Sequence, residues 1–290
     1  MRAAKPFWLL TMPYHQHGFK IFSAAFDLDT IESLRQAVER VCTRYRDGDE
    51  LCVSNSVSIK DLTARFPERN PGVDIEAFST EPFILGNLAR LDGAFGQFLS
   101  LQPLWNMAAQ ALDLPVDEVV YHFSNITRKP PGIGPAIAWH RDYPNKYICT
   151  ERADFVRLLV PLHDMSPING GIGIVPSSHH IEDEEARRTN DMRNSGATAV
   201  YPPLGAGDAL VLHPKLIHGG GPNRSACARD VLIVQFGKKQ ARLLCSSDEE
   251  YMSLWGREEI QKAVHCRQRR VAKNAGKMAR NRFDNCNSMR

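Results

Sequence analysis

The chain has 290 residues, 43% hydrophobic and 24% charged, with 20 Gly, 18 Pro, 10 His and 7 Cys. That composition excludes disordered, collagen-like and coiled-coil classes, and a core of this size needs no disulfide staples. The formal charge of +3 is unevenly divided: from Arg257 on, ten Lys/Arg face three acids (+7), and the preceding residues carry 26 basic and 30 acidic side chains (−4).

Seven scattered cysteines without a C-x-x-C point to a reducing compartment and away from a thiolate zinc site. The N-terminal apolar run is broken by Pro13 and His15, so no signal peptide is expected. No stretch approaches the about 18 apolar residues of a membrane span. The expectation is a soluble, cytoplasmic protein with no membrane partner. Phe283 is the only aromatic after Trp255. The basic tail therefore lacks the interleaved stacking residues of single-strand binders, which argues against nucleic acid as a partner. Nothing in the sequence fixes an oligomeric state.

Residues 20–46 read as a helix, with Asp29 or Thr30 capping it and Ile31, Leu34, Val38 and Val41 along one face. Residues 47–80, with Pro67 and Pro71, read as a loop-rich insertion. A second helical stretch is expected over 84–112, where Leu88, Leu91, Phe95, Phe98 and Leu99 form a stripe up to Pro103, followed by Trp105, Met107 and Leu112. From Asp117 the texture changes. Short β-prone runs alternate with Pro/Gly/Asn clusters at 119–127, 136–140, 155–162, 171–175, 208–213 and 230–236, the pattern of a sandwich or barrel. The charged segment 181–195 has no apolar period and reads as a surface excursion or lid. One domain is expected over 1–290: a helical part (1–116), a β core (117–240) and a basic helical extension (241–290).

Three features follow in order within the β region. Trp139-His140-Arg141-Asp142 ends one strand, His218 lies 76 residues after Asp142, and Arg229 follows eleven residues later. Two imidazoles and a carboxylate form the facial triad of non-haem Fe(II), leaving three coordination positions open. Residues i and i+2 of a strand project to one side, so His140 and Asp142 can share a metal that His218 reaches from a distant strand. An arginine one strand away suits the far end of a dicarboxylate. H-x-D alone arises by chance in a chain with ten histidines, so the surrounding text carries the weight.

That text is Lys129-Pro130-Pro131-Gly132, WHRD at 139–142, NGGIGIVPSSHH at 169–180, GDALVLH at 207–213, HGGGPNRS at 218–225 and Arg229. In serial order these motifs resemble the phytanoyl-CoA dioxygenase-like family of Fe(II)- and 2-oxoglutarate-dependent oxygenases, over about 120–236. The resemblance implies a mainly β fold with flanking α, a double-stranded β-helix (jelly roll, cupin-like) with N-terminal helices. It also implies metal binding by His140, Asp142 and His218. Arg229 would hold the C5 carboxylate of 2-oxoglutarate, with Arg224 a nearby alternative. Thr127 stands where family members place a polar group near the co-substrate. The chain departs from the family at Gly220, where many relatives carry a supporting Ser that Thr127 or Tyr121 would replace, and at Ser177, within the family's P-G-S-H. Asp142 stands where halogenating relatives have a small residue, which disfavours halogenation.

Fe(II), 2-oxoglutarate and O₂ are thus the implied cofactors. The implied reaction is hydroxylation or other oxidation of an unactivated C–H bond of a small-molecule substrate, with release of succinate and CO₂. A cupin-like isomerase or hydrolase using the same triad without 2-oxoglutarate is the alternative, and Arg229 discriminates against it. Among the other histidines, His213 is the rival ligand, but it closes an apolar strand and reads as structural. His179 and His180 lie in a turn where the family's His is structural. Cations flank the ligands at Arg128, Lys129, Arg141, Lys146, Lys215 and Arg224. They favour a small polar or anionic substrate, with Arg141, Lys146 and Lys129 as the binding candidates.

Overall fold

The computed structural model describes residues 13–72, 81–144, 148–188, 198–244 and 254–267. Ten strands form two antiparallel sheets: β1 (Phe19–Phe22), β2 (Ser56–Ser58), β3 (Pro82–Gly86), β4 (Val119–Lys129), β5 (Ile137–His140), β6 (Phe155–Pro161), β7 (Ile172–Ile174), β8 (Ala209–Leu212), β9 (His218–Gly220) and β10 (Arg229–Lys238). The larger sheet runs β1-β8-β6-β10-β4-β3-β2 and the smaller β5-β9-β7. This is the double-stranded β-helix architecture, with helices on one side.

Period-2 alternation explains how one sheet serves two cores. Val156, Leu158 and Val160 of β6, with Leu232, Val234 and Phe236 of β10, face the helices Leu28–Arg46, Gly93–Leu99 and Gln102–Leu112. Trp105 is completely buried in that layer and donates its Nε1–H to Leu99 O at 2.7 Å. The intervening Leu159 and Val231 turn towards the smaller sheet, where they pack with Ile172 and Ile174. Both faces are covered, so these strands read as nearly continuous apolar runs.

Several expectations change at the N-terminal end. Residues 19–22 are not helical but pair with β8, and the helix begins at Leu28, capped by Asp27, which accepts the Thr30 N–H at 2.6 Å. Residues 82–86 are a strand between β2 and β4, and the helical stretch behind them is three helices, Leu88–Leu91, Gly93–Leu99 and Gln102–Leu112. The supposed loop after residue 47 contains helices Glu50–Ser54 and Ile59–Arg65 and strand β2. In the charged segment, Asp183–Arg188 is helical, and 189–197 lie outside the described residues. At the C-terminus, a helix over 257–267 buries Ile260 against the helical layer. Its two arginines serve helix ends: Arg257 Nε donates to Ser100 O at 3.0 Å, and Arg267 donates to Ala89 O and Arg90 O. The remaining tail cations lie outside the described residues. No helix among the described residues is long and apolar enough to cross a membrane.

Arg128 ties the layers together. It reaches Asp230 on the neighbouring strand at 3.0 Å and Glu39 on helix Leu28–Arg46 at 2.9 Å. Burial pushes the Asp230 carboxyl up to about 6, against the pull of Arg128. Removing the cation strands a buried carboxylate. Arg128→Met should therefore lose about 3–5 kcal/mol of unfolding free energy in urea denaturation at pH 7.5; a loss below about 1 kcal/mol would contradict this account.

Candidate metal centre and its cavity

The smaller sheet creates the centre by register. In the antiparallel β5–β9 pair, His140 stands directly opposite His218, and their rings lie 4.3 Å apart between centroids. Asp142 follows two residues past His140 on the same side. His140 Nε2 is 3.6 Å from Asp142 Oδ1, and His218 Nε2 is 3.8 Å from Asp142 Oδ2. The Nδ1 atoms face backbone carbonyls, Ala138 O at 2.8 Å and Leu216 O at 2.9 Å. Those bonds fix the tautomer: Nδ1 carries the proton and Nε2 presents its lone pair to the carboxylate. Among the described residues, these three are the one His/Cys/Asp/Glu group with ligand atoms close enough to hold a metal ion.

Electrostatics favours the ligating forms of His218 and Asp142. Burial, reinforced by His140, depresses His218 to about 4, so it is neutral at pH 7. Burial opposes ionisation of Asp142, but the Arg157 guanidinium and the two imidazoles outweigh it and hold the carboxyl well below the usual carboxylate range. Arg157 contacts Asp142 Oδ1 directly. Its Nε donates to Gln235 Oε1 at 3.1 Å, and Gln235 in turn contacts His122 Nδ1 at 3.0 Å and Ile148 O at 2.9 Å. Sequence reasoning missed this ladder because Arg157 lies inside an apolar strand with no motif around it.

A cavity of about 380 Å³ opens between the sheets, with His140 and His218 in its wall. Asn125, Thr127 and Lys129 of β4 line it by period-2 alternation, as do Arg229, Val231 and Ile233 of β10. Arg229 is 3% exposed, donates Nη2–H to Gly170 O at 3.1 Å, and has no partner at Nε. Burial lowers it to about 10, and it forms no ion pair among the described residues. Lys129 stands opposite it in the β4–β10 register, fully buried, with Nζ donating to Gly170 O (3.2 Å) and Gly221 O. Burial, and then Arg229, push this ammonium well below the usual lysine range. A Cβ on Gly220 would lie 3.6 Å from Lys129 Nζ, so the lysine stands beside the position where relatives carry their Ser. Tyr121 does not reach the cavity. The β4 bulge opposite Gln235/Phe236 turns it into the helical core, where its hydroxyl meets Ser124 Oγ at 2.8 Å.

The remaining sequence candidates lie elsewhere. Arg141, between His140 and Asp142 at a strand end, points to the opposite side and donates to Ser178 O and Ile181 O at 2.8 Å and to Asp183 at 3.3 Å. Its fork is committed within the protein. Lys215 pairs with Asp183 at 3.0 Å, and Arg224 is exposed and donates to Gly132 O. Lys146 lies outside the described residues. His213 Nδ1 accepts the Lys215 N–H, and His179 Nε2 bonds His15 O. Ser177 adopts φ 62°, the left-handed conformation that the family's glycine takes without strain. Its hydroxyl donates to Gln16 O at 3.0 Å and offsets part of that cost.

Residues 14–231 match the family model described as Phytanoyl-CoA dioxygenase (PhyH), three quarters of the chain. The chain belongs to the phytanoyl-CoA dioxygenase family. It is 27% identical over 198 residues to an L-proline trans-4-hydroxylase of Streptomyces griseoviridis, covering 59% of this chain and 73% of that one. It is 28% identical over 156 residues to a probable alpha-ketoglutarate-dependent hypophosphite dioxygenase of Stutzerimonas stutzeri, covering 48% of this chain and 52% of the relative. A crystal structure of EctD from S. alaskensis with bound Fe superimposes with a TM-score of 0.63 at 18% identity, over 84% of this chain and 82% of that one. The protein is thus a non-haem Fe(II)- and 2-oxoglutarate-dependent dioxygenase, with iron, 2-oxoglutarate and O₂ as its cofactor and co-substrates. The donor set fits: the Nε2 atoms of two imidazoles in the cavity wall meet an ionised carboxylate, and a buried guanidinium with no ion pair among the described residues faces the same space.

Three histidines outside the triad are held neutral by burial, His122 and His163 at about 4 and His213 at about 3, against an ordinary 6.5. The unfolded chain therefore binds more protons below pH 6.5. Stability of the metal-free protein should be fully present above that pH and decline as pH falls towards 4. Each histidine contributes up to about 1.4 kcal/mol per pH unit, the partly exposed His163 and His213 less. Urea midpoints between pH 7.5 and 5 measure this; a flat profile would contradict the burial argument.

Proposed function

We propose that this dioxygenase oxidises a C–H bond of a small, anion-bearing metabolite, with His140, Asp142 and His218 as the metal ligands and Arg229 as the anchor of 2-oxoglutarate. The observation that carries the reading is Arg229: a buried guanidinium without an ion pair among the described residues, in the cavity that the two histidines line. A buried unpaired charge is costly, and a dicarboxylate's far end relieves that cost with a bidentate, charge-assisted contact. An isomerase or hydrolase without 2-oxoglutarate has no use for it. When bound, iron with 2-oxoglutarate and O₂ supplies the oxidising power for the C–H bond, and succinate and CO₂ leave.

The protein's own residues do the rest. Asp142 and the two Nε2 atoms would hold the metal, and the backbone bonds at both Nδ1 atoms keep the rings from turning. Arg157 engages Asp142 Oδ1 and holds the carboxylate in place. Lys129, read from sequence as a substrate residue, lies at the Arg229 end of the cavity and supports the co-substrate carboxylate there. Thr127, two residues before Lys129 on the same face of β4, supplies a hydroxyl at the same end. The two curated relatives act, by their names, on L-proline and hypophosphite, both small molecules bearing an anionic group. The modest cavity agrees with substrates of that size.

Anaerobic addition of Fe(II) and 2-oxoglutarate should produce a metal-to-ligand charge-transfer band. Asp142→Ala and His218→Ala should abolish it. Arg229→Ala should keep Fe(II) and raise the half-saturating 2-oxoglutarate concentration roughly 10- to 100-fold. A parent protein without the band would overturn the reading.

A further inference from the structure

Resting on that reading, we propose that Arg69 is the substrate's anion anchor, and that the substrate is an organic acid with a short apolar body.

Arg69 belongs to the segment that the sequence presents as a loop-rich insertion. It ends the short 3₁₀ turn Pro67–Arg69 that follows helix Ile59–Arg65. Two backbone-directed bonds dock this segment on the approach to the metal: Ala136 N donates to Arg69 O at 2.9 Å, and Asn70 Nδ2 donates to Ile133 O at 2.8 Å. The guanidinium stacks on the Phe66 ring at 4.0 Å, which fixes its plane. Its Nε is buried without a partner, and no described carboxylate forms an ion pair with it. Burial lowers its pKa, against the pull of the neighbouring Glu68 and with a smaller push from Arg65.

Charge accounting across the cavity singles this residue out. Four cationic side chains line it, Arg69, Lys129, Arg157 and Arg229, and no Asp or Glu is among its described lining residues. Arg157 is matched by Asp142. Arg229 and Lys129 stand together: Arg229 takes one carboxylate of 2-oxoglutarate, and the Lys129 amine is already held by Gly170 O and Gly221 O. Arg69 is the cation left over. Around it the wall is apolar: Leu62, Phe83, Ile84 and Ile137 line the same cavity and belong to one hydrophobic cluster. The bonded Ala136 precedes His140 by four residues, at most roughly 13 Å of extended chain and less across the irregularity in β5 between Ile137 and His140. The arginine side chain covers part of that distance and leaves a short aliphatic or single-ring body to reach the metal. A planar fork matches a carboxylate.

The test uses the full chain loaded anaerobically with Fe(II) and 2-oxoglutarate. Cyclohexanecarboxylate and pentanoate are titrated against their uncharged amides, and the shift of the charge-transfer band is read as binding. The acids should shift the band and the amides should bind at least tenfold more weakly. Arg69→Gln should weaken the acids roughly tenfold or more, Arg69→Lys by less, and both variants should form the unshifted band with unchanged 2-oxoglutarate affinity. Amides binding as well as acids, acids binding Arg69→Gln as well as the parent, or a normal band that no acid shifts would each overturn this proposal alone. Absence of the band before any acid is added would overturn the reading beneath it, and this proposal with it.

Discussion

Pairing of His140 with His218 across the smaller sheet is the constraint on which the centre depends. A one-residue slip in the β5–β9 register would turn one imidazole out of the cavity, because strand side chains alternate. The register also sets Asp142, two residues on, against both Nε2 atoms. The backbone carbonyls of Ala138 and Leu216 then orient the rings without any additional side chain. Gly219 tolerates no substitution lightly at this seam: a Cβ there would lie 3.1 Å from Ile137 O and from the Trp139 side chain.

The larger sheet supplies the opposite wall, and its alternation separates two kinds of chemistry. Its helix-facing side is an apolar core fastened by the Arg128–Asp230–Glu39 cluster. Its cavity-facing side collects cations, and adjacent residues exemplify the division: Arg128 anchors a helix while Lys129 lines the cavity. The same holds for Asp230 and Arg229. Positive charge without matching carboxylates is expensive to bury, and the cavity's design is legible as a demand for anionic occupants.

Much of this was legible in the amino-acid sequence, for identifiable reasons. The triad, Arg229 and the six β runs carry local signatures: an i, i+2 ligand pair, and apolar runs punctuated by Gly and Pro. What was not legible depends on contacts between distant segments. Residues 19–22 and 82–86 adjoin helical stripes, so their apolar residues read as helix although they pair with β8 and β4. Arg141 was drawn to the site by adjacency to His140, whereas alternation sends it the other way. Arg157 and Arg69 have no motif, and only the closed fold brings them to the cavity. Ser177 illustrates a reverse case: its departure from the family's glycine leaves the left-handed turn in place, with hydrogen bonds to the 16–17 segment standing in for glycine's freedom.

The central claim is spatial, and a crystal structure with Mn(II) and N-oxalylglycine, a 2-oxoglutarate analogue, tests it most directly. One anomalous metal peak should lie among His140 Nε2, His218 Nε2 and an Asp142 oxygen, with the analogue's far carboxylate on Arg229 beside Lys129. A peak elsewhere, or that carboxylate seated on Arg69, would contradict the account.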